Sequence, residues 1–172
     1  MAEGEIAIDD PRAQDVRALL QAHLLFAASQ SPPEDVHALD VEALVVPDIT
    51  FFSFRLGGEL LGVGALKRLD VGHAEVKSMH TVGRARRSGI GRAMLDHLVG
   101  VARQLGCRRV SLETGSMPAF APARSLYARA GFEPCGPFGD YRPSPNSTFM
   151  TLSLDAPEPY DHVTPPTTET TP

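Results

Sequence analysis

The 172-residue chain has no tryptophan, only two cysteines and no net positive charge, and each shortage narrows what it can do. Cys107 and Cys135 stand far apart, and no CxxC, HExxH or neighbouring histidine gives metal-ligand spacing, so no zinc site or other metal is expected. A net charge of −5 and a pI of about 5.6 exclude general nucleic-acid binding, which leaves a basic footprint. No stretch approaches the roughly 18 apolar residues of a membrane span. The opening MAEGEIAIDD is acidic and lacks the apolar run of a secretory signal, so the expected compartment is the cytoplasm and no disulfide is expected. What remains is an ordinary globular composition, long enough for one domain with a full core.

The patterning divides the chain into a folded part, residues 1–154, and a Pro/Thr-rich tail, residues 155–172, with little to bury and read as disordered. Residues 5–8 read as a strand. A helix is expected from Asp10 as N-cap and Pro11 at its first turn, with Val16, Leu19, Leu20, His23 and Leu24 on one face. After Pro32 and Pro33 a second short helix is expected through Leu39. Two β-prone runs flank Gly57-Gly58, a pair suited to a tight hairpin turn. AEVKSMHTV reads as the next strand. A helix then runs to about Leu105 with Ile90, Met94, Leu98, Val101 and Leu105 as its buried stripe, stopped by Gly106. RRVSLET gives a strand, PARSLYARAGF a helix, and two strands are expected near 132–137 and 147–154.

In this acidic chain the stretch RARRSGIGRAML gathers Arg84, Arg86, Arg87 and Arg92 around Gly89 and Gly91. A strand, a glycine-rich turn and a helix start leave backbone N–H groups without partners at the positive end of a dipole. Glycine lets an anion approach that backbone, and arginine adds charge-assisted bonds to phosphate. The Lys-Ser/Thr ending of a nucleotide P-loop is missing, as is the first glycine of GxGxxG, which argues against ATP and a dinucleotide. Taken alone, the stretch also fits a surface loop of solvated arginines.

Its flanks are more telling. MHTVGRARRSGIGRAML resembles the acetyl-CoA signature of the GNAT family of N-acetyltransferases, with Arg86, Gly89 and Gly91 at the Arg-x-x-Gly-x-Gly positions. ARSLYARAGF resembles that family's second signature. EVKSMHT, SLETGS and SPNSTFM resemble a bacterial subgroup of small acetyltransferases. The resemblance spans most of residues 5–154 and is most specific from 75 to 132. It implies an α/β (α+β mixed) fold: a central, mostly antiparallel sheet of six to seven strands flanked by about four helices.

It also implies acetyl-CoA as co-substrate. Pantetheine would pair with the backbone of Met79, His80 and Thr81 in a gap between splayed strands. The pyrophosphate would lie on Arg86, Arg87, Ser88, Gly89, Ile90, Gly91 and Arg92. Tyr127 matches the tyrosine that assists departure of the CoA thiolate. Glu75 is the first candidate for the base, by strand alternation on one face with Lys77 and Met79, although it could equally pair with Lys77. His80 and Glu113 follow. Phe120 stands where many relatives carry a cofactor-contacting asparagine, a role that Ser116 or Arg124 could take over. The implied activity is direct acetyl transfer to a primary amine of a small molecule or peptide, with a homodimer as a possible assembly and no nucleic-acid or membrane partner. A non-catalytic acyl-CoA sensor is the alternative.

Overall fold

A computed structural model describes residues 3–154. The expected tail, 155–172, lies outside the described residues. Seven strands form one sheet in the order β1-β2-β3-β4-β5-β7-β6. They are β1 (Gly4–Ile8), β2 (Ile49–Leu56), β3 (Glu59–Arg68), β4 (His73–Thr81), β5 (Arg109–Gly115), β6 (Glu133–Cys135) and β7 (Ser147–Ser153). The helices are α1 (Gln14–Gln30), α2 (Ile90–Gln104) and α3 (Ala121–Arg129). Every strand pair is antiparallel except β4–β5. Gly57 and Gly58 both take positive φ, 58° and 85°, and close the β2–β3 hairpin between Leu56 and Glu59.

Two apolar layers sandwich the sheet. On one face Val16, Leu19 and Leu20 of α1 pack on Phe51, Val63 and Ala65. On the other, Met94, Leu95, Leu98 and Ala102 of α2 pack with Tyr127 of α3 on Phe52, Leu66, Val76 and Leu112. The α2 contact is close because β3 presents glycines to it. A Cβ on Gly62 would lie 2.9 Å from Ile90, and one on Gly64 would lie 2.8 Å from Met94. Burying each large side chain stabilises the fold by about 1.5–3 kcal/mol.

Several expectations from the pattern need correction. α1 starts at Gln14, because residues 11–13 turn on Asp10, whose side chain accepts the Arg12 N–H at 2.9 Å and whose carbonyl accepts that of Ala13. The second short helix is a single 3-10 turn, Pro33–Asp35, so among the described residues the sheet carries three α-helices and not four. The chain turns extended at Val36, and Asp35 is tied to the Asn146 amide at 2.9 Å, a long-range bond made where the helix is expected to continue. Leu105 caps α2 in solvent at 43% exposure, while Leu95, Val99 and Ala102 fill the core in its place.

What positions the site is the β4–β5 junction. The two strands pair in parallel only at His73–Glu75 with Arg109–Ser111 and then diverge. A polar relay pins the closed end. Arg109 donates to His73 Nδ1 at 3.1 Å, so the ring proton sits on Nε2 and points at Ser111 Oγ, 2.7 Å away; Ser111 then donates to Thr151 Oγ1 at 2.9 Å. The ring is held neutral, because burial and then Arg109 depress its pKa.

Candidate active site

The divergence of β4 and β5 opens a cleft of about 710 Å³. Beyond Glu75, β4 has no partner on the β5 side, so its backbone groups face this gap. A bulge interrupts β4 between the pairs Val63–His80 and Ala65–Lys77, with Ser78 at φ 53°. The bulge corrects the expected alternation. Met79 packs toward the α2 and α3 layer, whereas Glu75 and Lys77 bond to a loop across the cleft and His80 meets α1.

One wall is the loop after β4. Gly89, at φ 88°, is the residue before α2, and no side chain caps that helix. Its first turn carries no acidic residue. The N–H groups of Ile90, Gly91 and Arg92 therefore have no intrahelical acceptor, while Ala93 closes the first bond on the Gly89 carbonyl at 2.9 Å. Arg87 also takes positive φ, 64°, a conformation that costs a non-glycine residue about 1–3 kcal/mol. Gly91 plays a different part: a Cβ there would touch Leu126 of α3 at 3.4 Å.

Arg86, Arg87, Gly89, Gly91 and Arg92 line the cleft, together with Met79, His80, Thr81, Glu75 and Tyr127. Ser88 and Ile90 do not. The Ser88 hydroxyl donates to the Ala85 carbonyl, and the Ile90 side chain is buried with Leu61, so only their backbone is left to the loop. Arg92 is held by Asp96 at 2.9 Å. Arg84 pairs with Glu59 in solvent.

The floor carries buried titratable groups. Tyr127 is 8% exposed, and burial, with the nearby Glu113 carboxyl, pushes its hydroxyl up to about 12. Burial likewise raises Glu113 to about 7; the Ser147 hydroxyl and Lys77 moderate that rise, while Glu75 and Asp35 add to it. His80 falls to about 4 through burial, then His23 and Arg86, and its ring lies 3.3 Å from His23. An imidazole that weak is a poor base at neutral pH. Glu75 is buried and committed: it accepts from Lys77 at 3.1 Å and from the Tyr141 hydroxyl.

Tyr141 is the residue that sequence reasoning missed. It sits in the loop between β6 and β7, donates to Glu75, receives Lys77 Nζ at 2.8 Å and stacks edge-on with His37 at 4.9 Å. Proximity to Glu75 and burial raise its pKa, burial foremost. Nothing in the local sequence marks it. The Phe120 departure also resolves: its ring covers Gly115, where any Cβ would collide with it, and meets Phe26 edge-on at 5.2 Å. Of the two residues expected to take over the missing asparagine's role, Ser116 donates to the Pro145 carbonyl at 2.6 Å and Arg124 to those of Gly115 and Met117.

Neither cysteine lines the cleft; both are free thiols. Among the described residues no three His, Cys, Asp or Glu side chains gather to hold a metal, and no helix is long and apolar enough to cross a membrane.

A splayed sheet with an uncapped, glycine-led helix start beside the gap matches an acyl-CoA-using acetyltransferase fold. The chain belongs to the acetyltransferase (GNAT) family, whose model matches residues 14–132, and it is an N-acetyltransferase. It is 48% identical to the uncharacterized N-acetyltransferase YsnE of Bacillus subtilis over 149 residues, 87% of this chain and 99% of the relative. It is 37% identical to a protein of Azospirillum brasilense named an IAA acetyltransferase, over 87% of this chain and 97% of that one. Among solved structures, a candidate acyl-CoA N-acyltransferase from Klebsiella pneumoniae superposes with a TM-score of 0.73 at 28% identity, over 90% and 100% of the two chains. A Bacillus subtilis acetyltransferase in complex with CoA shares the fold, with a TM-score of 0.67 at 17% identity over 88% and 99%.

Proposed function

We propose that the protein moves the acetyl group of acetyl-CoA directly to a primary amine of a small molecule or peptide, with both substrates bound at once. The supporting observation is a single cleft that joins an uncapped helix start and free arginines to a half-buried carboxyl whose pKa is raised to about 7. Acetyl-CoA supplies the activated acetyl group. In this reading the N–H groups of Gly89, Ile90 and Gly91, with Arg86 and Arg87, hold its pyrophosphate. Backbone N–H groups of β4 beyond Glu75 polarise the thioester carbonyl, the logic of an oxyanion hole.

The attacking amine must be neutral. Glu113 takes its proton, since a carboxyl at about 7 is half ionised at working pH and strong enough to hold a proton once it has one. Glu75 instead fixes Lys77 and Tyr141 in place. Tyr127 stays protonated at neutral pH, which lies far below its pKa of about 12. It is a weaker acid than a thiol of about 8.5, so its part is a hydrogen bond to the departing thiolate rather than full proton transfer. Direct transfer is favoured over a cysteine-bound intermediate because neither Cys107 nor Cys135 reaches the cleft.

The test is calorimetric titration with acetyl-CoA, followed by thiol release across a panel of amines. Binding, with CoA released only when an amine is present, supports the proposal. Failure to bind acetyl-CoA overturns it. Binding without turnover of any amine supports a sensor instead, and acetylated protein formed without amine overturns direct transfer.

A further inference from the structure

Resting on the reading above, we infer that the acetyl acceptor is an amine that carries a second positive charge and no carboxylate, a diamine or the end of a polyamine rather than an amino acid. The two sides of the cleft differ in charge. Its cations are Lys77, Arg86, Arg87, Arg92 and Arg129, and the four arginines belong to the loop and the helices beside it.

The strand floor contributes Lys77. That ammonium is already paired: two of its three N–H donors go to Glu75 at 3.1 Å and to Tyr141 at 2.8 Å, its charge is matched by the Glu75 carboxylate, and its side chain is 9% exposed. A carboxylate brought to this side would be desolvated and would have to compete with Glu75 for Lys77, an unfavourable exchange.

The acids tell the complementary story. Asp35 lines the cleft, and hydrogen bonds from Asn146 and Ser144 hold its pKa down, so it is ionised at neutral pH. Both donors are neutral, and no salt bridge reaches Asp35 among the described residues. Glu113 adds negative charge as it ionises. His37, beside Asp35, is kept neutral by burial and then by Lys77 and does not offset them.

The faces between these groups are aromatic. Tyr141 stands edge-on to His37, and Phe26 edge-on to Phe120. Aromatic faces next to carboxylates suit an ammonium group on an aliphatic stem. One nitrogen of such an acceptor gives its proton to Glu113 and attacks; the other stays protonated beside Asp35.

Three amines with the same four-carbon stem isolate the distal group: 1,4-diaminobutane, butylamine and 4-aminobutanoate. The expected order of kcat/KM is diamine over monoamine by about tenfold, and monoamine over the carboxylated amine by about tenfold. Asp35→Asn should shrink the diamine preference to about threefold or less, mainly through KM. Glu75→Gln, which releases the Lys77 charge, should raise 4-aminobutanoate relative to butylamine. Calorimetric binding of the three amines to the enzyme–CoA complex should give the same order, which reads the inference without turnover. Equal or better use of 4-aminobutanoate by the unmodified protein overturns the inference, as does an Asp35→Asn variant that keeps the full diamine preference. A protein that binds no CoA overturns the function instead, and the amine order is then read on the protein alone.

Discussion

The loop side of the cleft and its strand floor handle charge in opposite ways. Arg86 and Arg87 stand in solvent, beside helix N–H groups that no side chain satisfies. On the floor, buried Glu75 and half-buried Lys77 and Tyr141 satisfy one another, while Glu113 is half-buried in the same cleft and its desolvation raises its pKa. In the proposed function the loop receives a charge that arrives from outside, and the floor holds one proton in balance. A binding site needs the first; chemistry on an amine needs the second.

Substitutions that damage only one side test this division. Gly89→Glu has the largest expected effect. Space for a Cβ exists there, so the expected loss comes from the positive φ and from a carboxylate placed against the proposed phosphate site. Affinity for acetyl-CoA should drop by about 1000-fold or more in a calorimetric titration, the scale of two such penalties together.

Glu113→Gln comes next, lowering kcat/KM for the amine by about 100- to 1000-fold. It should also change stability. Folding raises the Glu113 pKa from 4.5 to about 7, so the fold binds this proton more tightly than the unfolded chain does. Stability from this group is therefore greatest below pH 4.5 and declines by on the order of 3 kcal/mol as pH rises through 7. Thermal melts should show the glutamine variant gaining on the unmodified protein above pH 7 and losing that advantage near pH 5.

Tyr127→Phe would remove the proposed hydrogen bond to a developing charge, worth about 1.5–3 kcal/mol, and should lower kcat about 10- to 100-fold with CoA affinity held. The smallest contrast lies within the loop. Arg86→Ala should weaken CoA binding by about 1–3 kcal/mol. Arg84→Ala, which loses only a solvent-exposed pair with Glu59, should leave affinity within about twofold. Equal losses at the two positions would place the pyrophosphate elsewhere.

The same contrast explains what the sequence made legible. The loop is local: its glycines, arginines and helix start fall within residues 86–92, so pattern and chemistry coincide in one short window. The hairpin at Gly57-Gly58 was legible for the same reason. The floor is assembled at long range. Tyr141 reaches Lys77 across 64 positions, and Asn146 reaches Asp35 across 111. No periodicity carries such pairings. Alternation also failed at Met79, because one bulged residue at Ser78 reverses the phase of everything after it. The expected helix after Pro33 was lost to another tertiary tie, the bond between Asp35 and Asn146.

The most direct measurement follows both sides in one variant: CoA affinity and the pH profile of kcat/KM, in the unmodified protein and in Glu113→Gln. Glu113 must be ionised to accept a proton, so the unmodified protein should lose activity tenfold per pH unit below about 7, apart from the later limb set by the amine itself. In Glu113→Gln the limb near 7 should vanish while the dissociation constant for CoA stays within about twofold. A limb near 7 that survives the substitution, or a CoA affinity that falls with the rate, would contradict the division between a loop that binds and a floor that reacts.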